Sequence, residues 1–175
     1  DEAELLLRAW QSYRGNALLV IVPRHPERFE AVFQTALTLG FRTQKRSDGQ
    51  AVAADTQVWI GDSMGELYAY YAAADAAFVG GSLVDSGCQN IIEPIACGLP
   101  TVFGFSTYNF DQACRSATEA GAAVQVRDAD EWRKITEQWL SDDRLRRQVS
   151  DCAEGFIRRH RGASETIASL IAEAV

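Results

Sequence analysis

The chain has 175 residues, 47% of them hydrophobic and 23% charged, as in an ordinary globular domain with its own core. With 17 Lys and Arg against 24 Asp and Glu, its formal net charge is -7. That excludes a general nucleic-acid binder, which needs a basic face to displace counterions, and the longest apolar run, Ala17 to Val22, is too short to cross a bilayer.

The chain opens without a methionine on a helical stretch, Glu2 to about Tyr13, with Leu5, Leu6, Leu7 and Trp10 as its apolar side. We therefore expect one half of a larger protein. Ala17 to Val22 reads as a strand buried on both faces, closed by Pro23. Pro26 to Leu39 has helical spacing with Gly40 as its C-cap, Phe41 to Gln44 reads as a strand, and Ser47-Asp48-Gly49 as a turn. Val58 to Ile60 is the next strand, then a helix from Met64 to Ala74, and Ala76 to Val79 is another buried strand. A helix from near Asn90 to Cys97, a strand at Thr101–Phe103, a helix near 109–120 and a strand near 122–126 follow, then helices to the C-terminus. Alternating all-apolar strands and helices predict an α/β chain: a Rossmann-like parallel sheet with helices on both faces, in one domain over residues 1–175.

Cys88, Cys97, Cys114 and Cys152 form no CxxC pair and have only His25 and His160 beside them, so reduced thiols are expected and no zinc site. Asp128-Ala129-Asp130 spells a metal-binding D-x-D but heads an amphipathic helix, where acids are favoured by the helix dipole, and it is read as a cap. Charge is uneven. Five bases against two acids lie between Arg24 and Arg46, while nine acids and one base lie between Asp48 and Ala120. An anionic ligand must therefore lean on Arg24 and its neighbours or on helix N-termini.

In an open parallel sheet ligands sit beyond the carboxyl ends of the strands, and four loops leave such ends. In the first, Pro23 and Pro26 stiffen a turn that holds Arg24, whose guanidinium suits a phosphate or carboxylate; a plain solvated turn is the alternative. In the second, Ser63 and Glu66 have capping-box spacing, while Gly65 in a first helical turn admits close approach of a ligand. The third, Gly80 to Pro94, has three glycines and ends in Asn90 and Glu93. Glu93, before Pro94, should lie near a helix start, as a cap or as an acceptor for two ribose hydroxyls. A sugar-nucleotide site is favoured because capping gives the glycines no reason. In the fourth, Gly104 to Phe110, Asn109 is expected to cap the next helix and the aromatics to pack.

With these loops in view, the stretches PRHPERF (Pro23–Phe29), GDSMGEL (Gly61–Leu67), GGSLVDSGCQNIIEP (Gly80–Pro94), GLPTVFG (Gly98–Gly104), NF (Asn109–Phe110) and AGAAVQV (Ala120–Val126) resemble the C-terminal half of 3-deoxy-D-manno-octulosonic acid (Kdo) transferases. The resemblance implies a GT-B glycosyltransferase that moves Kdo from CMP-Kdo to lipid A precursor in lipopolysaccharide biosynthesis, at the cytoplasmic face of a bacterial inner membrane. It implies no metal and no cofactor beyond the donor. It places donor binding on Pro23, Arg24, Met64, Gly65, Glu66, Asn90 and Glu93. The general base, most of the acceptor site and the membrane contact would belong to an N-terminal domain of the same polypeptide, leaving this piece soluble and inactive alone. The pattern departs from the family at Cys88, usually glycine, and at Phe105, usually proline. Rival readings are a GT-B transferase or epimerase using UDP- or GDP-sugars, and a non-catalytic nucleotide-binding module.

Overall fold

The structure, a computed structural model, describes residues 1–160. It begins with α1 (Glu2–Trp10), whose Asp1 side chain accepts from the Ala3 N–H and whose first turn carries Glu2 and Glu4. Leu6, Leu7, Ala9 and Trp10 form its buried face. The helix stops three residues before the expected Tyr13, because Tyr13 turns back to stack on Trp10 with ring centroids 4.3 Å apart. Trp10 also meets Trp132 at 5.4 Å, and Trp132 meets Phe78 edge-on.

Then follow β1 (Leu19–Ile21), α2 (Phe29–Thr38), β2 (Thr43–Lys45), β3 (Val58–Ile60), α3 (Leu67–Ala73) and β4 (Ala77–Val79). α4 (Ile92–Ala96), β5 (Thr101–Phe103), α5 (Asp111–Glu119), β6 (Ala123–Gln125), α6 (Ala129–Ser141) and α7 (Asp143–His160) complete the described chain. Part of the last helical stretch expected from the sequence lies outside the described residues. Pro26–Arg28 and Arg46–Asp48 are 3-10 turns.

The expected alternation is present and, among the described residues, every strand pair is parallel, but the six strands there divide into two three-stranded sheets, ordered β1-β3-β2 and β4-β5-β6. The expectation that β1 is buried on both faces is corrected. Among the described residues it pairs only with β3, and Val20 on its outer side stays exposed. The buried strands are β3 and β5, the centres of their sheets, where Val58, Ile60, Val102 and Phe103 are almost fully enclosed.

One apolar cluster spans the two sheets, joining Val58 and Ile60 to Val102, with Leu7, Trp10, Val32, Trp132 and Trp139 from the helices. A second lies under α4, α5 and α7 and holds Cys88, Ile91, Ile95, Phe103, Cys114 and Phe156. All four cysteines are free. The Cys88 thiol is held well above the ordinary thiol range by its hydrogen bond with Cys114 and by burial. Asp128 caps α6, accepting from the Glu131 N–H at 2.8 Å.

Candidate functional site

The loop leaving β1 carries Pro23, half-buried, and Arg24, exposed. Arg24 Nη1 donates to Oε1 of Gln89, in the loop that follows β4, at 2.6 Å. The guanidinium is thus brought against the third loop while its remaining N–H groups stay available for an anion. His25 and Arg28 take no part: His25 stands before the 3-10 turn, and Arg28 pairs with Asp1.

The loop leaving β3 differs from expectation. Gly65 has φ +82° and precedes α3 instead of lying in its first turn, so the glycine supplies a left-handed bend. No capping box forms, because Glu66 itself is the residue before the helix. Its carboxylate instead accepts from the Ser63 hydroxyl and, at 3.2 Å, from Arg46 Nη2. Those two donors hold the Glu66 carboxyl below the usual carboxylate range, the Ser63 bond being the larger cause. Asp62 in the same loop accepts from the amide and hydroxyl of Ser47, at 2.8 and 2.5 Å. Met64, 64% exposed, stands free at the loop tip.

The loop leaving β4 is the most constrained. Consecutive N–H groups of Gly81, Ser82 and Leu83 all donate to the Glu2 carboxylate, at 2.6, 3.0 and 2.8 Å. Ser82 Oγ donates to the Val79 carbonyl and accepts from the Gly104 N–H at 2.7 Å. The Gln89 N–H returns to the Gly80 carbonyl at 3.0 Å, closing the loop on itself. This corrects the argument drawn from the glycines. Gly81 has φ +75°, and a Cβ there would meet the Gly87 carbonyl at 2.5 Å, so the loop's own packing accounts for it without a ligand.

Asn90 Nδ2 donates to Glu93 Oε1 at 3.1 Å, and Asn90 Oδ1 accepts from the Ile92 N–H at 3.0 Å. Glu93 is the second residue of α4, as the following proline suggested, and keeps its other carboxylate oxygen for a further donor. Tyr71 of α3 lies near it. Burial, and then the Glu93 charge, push the phenol up to about 12.

In the loop leaving β5, Asn109 does not cap α5. The residue before that helix is Phe110, and Asn109 Nδ2 donates to the Ser86 carbonyl at 3.4 Å. Of the loop's aromatics, Phe110 packs against the second cluster as expected, whereas Phe105 is 56% and Tyr108 63% exposed.

Arg24, bonded to Gln89, and Asn90, bonded to Glu93, are therefore brought into one group by the chain adjacency of Gln89 and Asn90, whereas Met64, Gly65 and Glu66 form a second, organised by Arg46 and Ser63. The sequence reading missed Gln89, Arg46 and Glu2. Gln89 had a signal in its adjacency to Asn90, but nothing local marks Glu2, whose partners lie about eighty residues away. Among the described residues no helix is long and apolar enough to cross a membrane.

Residues 3–155 match the family described as glycosyl transferases group 1. Among curated relatives, the chain is 37% identical over 164 residues to the 3-deoxy-D-manno-octulosonic acid transferase of Bordetella pertussis, covering 93% of this chain and 38% of that protein. It is 34% identical over 174 residues to the enzyme of the same name from Haemophilus influenzae, covering 97% of this chain and 41% of that one. The chain thus spans about two fifths of the length of these relatives. Among solved structures, the C-terminal CMP-Kdo binding domain of WaaA from Acinetobacter baumannii superposes with a TM-score of 0.85 at 35% identity, covering 89% of this chain and 83% of that one. WaaG, a glycosyltransferase involved in lipopolysaccharide biosynthesis, shares the fold at a TM-score of 0.60 and 18% identity, covering 97% of this chain and 42% of that one. The chain belongs to the group 1 glycosyl transferases and is a homologue of the C-terminal domain of Kdo transferases.

Proposed function

We propose that this chain, as one domain, is the donor-binding part of a Kdo transferase and holds the CMP portion of CMP-Kdo. The observation that carries the reading is the likeness to the CMP-Kdo binding domain of WaaA, at 35% identity over 89% of the chain. The two groups of side chains on the strand ends are chemically suited to it. Arg24 meets the donor phosphate, and its bond to Gln89 holds the fork in place. Glu93, supported by Asn90, accepts from the ribose hydroxyls. Pro23, Met64, Gly65 and Glu66 line the remainder, Gly65 leaving open space beside the backbone.

In the transfer, the bond between the anomeric carbon and the phosphate oxygen breaks while the acceptor hydroxyl oxygen bonds to that carbon. CMP carries away the electron pair, and the acceptor proton goes to a base outside this chain. Arg24 stabilises the charge that grows on the departing phosphate, so the reading needs no resident metal. The acceptor, a lipid A precursor, and contact with the cytoplasmic face of the inner membrane belong on this reading to a preceding domain of the same polypeptide. Without it the chain binds donor and transfers nothing, because two-domain positioning is missing.

Calorimetric titration with CMP tests the assignment. Saturable binding that Arg24→Ala and Glu93→Ala each weaken, and that UMP, UDP and GDP match poorly, is expected. Equal binding of UDP or GDP favours the other sugar-nucleotide transferases and epimerases. Saturation indifferent to both substitutions overturns the site.

A further inference from the structure

The anion seat at the end of β4 is already filled from within. Three successive backbone N–H groups, of Gly81, Ser82 and Leu83, converge on one carboxylate, that of Glu2 at the start of α1. Such a concave run of N–H groups is a general anion site. Gly80 borders the same seat, since a Cβ on it would meet Glu2 Oε2 at 3.0 Å. The loop so held is continuous with the nucleotide group. The Gly80 carbonyl receives the Gln89 N–H, Gln89 receives Arg24, and Asn90 follows directly. Gly81 lies close against Gly87 and the Gln89 side chain. None of this was assigned by the donor-site pattern, which starts at Pro23.

We propose that Glu2 is a positioning residue for nucleotide binding: its carboxylate sets the 81–83 backbone and thereby the placement of Gln89, Arg24 and Asn90. The proposal rests on the CMP reading above. It also assigns the donor phosphate to Arg24 rather than to the 81–83 amides, because that seat is taken. The seat is defined by charge and hydrogen-bond acceptance, so a small free carboxylate can replace the side chain once it is removed.

The test is CMP affinity of the 175-residue chain and its Glu2→Ala and Glu2→Gln variants, at fixed ionic strength in chloride or in acetate. Glu2→Ala is expected to lose about tenfold in affinity, the size of an ordinary coupling between sites, and acetate is expected to restore most of it. Glu2→Gln fills the seat with an amide that cannot accept from three donors as a carboxylate does. It is expected to lose affinity in both salts, and it carries the test if the alanine variant does not fold. Unchanged affinity in either folded variant overturns the proposal. So does a loss in Glu2→Ala that acetate fails to relieve, which is the mark of general loosening. If the unaltered chain binds no CMP, the donor reading and this proposal fall together; if it does bind, only the variants decide the role of Glu2.

Discussion

Arg24 and Gln89 are separated by 65 positions, yet the guanidinium donates to the Gln89 side-chain oxygen at 2.6 Å. The bond ties the loop after β1, in one sheet, to the loop after β4, in the other. Gln89→Leu should leave the fold intact and weaken CMP binding, because Arg24 then samples more rotamers before meeting phosphate. Gln89→Glu should weaken it more, since the new carboxylate competes for the same guanidinium. Titration calorimetry with both variants measures the order.

On the proposed donor site, Glu93 is expected to discriminate ribose from deoxyribose. The unaltered chain should prefer CMP to its 2'-deoxy analogue, while Glu93→Ala should bind the two alike. A charge-assisted hydrogen bond of this kind is worth roughly 1.5–3 kcal/mol, so the preference should be at least about tenfold. Competition binding with the two nucleotides is the measurement.

Gly65 and Gly104 should respond differently to alanine. Gly65 has a positive φ but nothing within 4 Å of a Cβ, so Gly65→Ala costs only the left-handed conformation, about 1–2 kcal/mol. At Gly104 a Cβ would sit 2.3 Å from the Ser82 carbonyl oxygen, and backbone must move to admit it. Gly104→Ala should therefore be much the more destabilising in urea melts, and the more damaging to the loop after β4.

Asp62 governs part of the acid limb of stability. Burial works against its charge, but the Ser47 hydroxyl and amide donate to it and lower its folded pKa on balance. A carboxyl lowered on folding stabilises above its unfolded value, and that contribution is lost as pH falls through the folded one. Asp62→Asn should therefore be less stable than the unaltered chain at neutral pH. The gap should close below about pH 4, near the ordinary aspartate value. Denaturant midpoints across pH 2–7 would reveal it.

Strand and helix identities were legible because periodicity is local. Val58–Ile60 and Thr101–Phe103 have the bounds that their apolar runs implied, and Glu93 falls near a helix start as Pro94 required. The division into two sheets was not legible, since the apolar pattern of β1 and β4 does not state which neighbour each strand bonds. Gly65 was misplaced because a capping-box spacing looks the same whether the acid lies inside a helix or before it. Phe105 and Tyr108 are exposed although aromatic, and no neighbouring residue signals that. Glu2 escaped notice for a different reason: an acid in a helix's first turn already has a sufficient electrostatic explanation.

The division into two sheets has a thermal consequence. Among the described residues no strand ladder crosses from β1-β3-β2 to β4-β5-β6, so their union depends on apolar side chains such as Ile60 and Val102, with Arg24–Gln89 as a polar clip at the rim. Apolar attraction fades on cooling, whereas ladders within each sheet do not depend on it in the same way. Refrigeration should thus slacken the seam before it frays either half, and a nucleotide seated across the clip should act as its cold-weather fastening.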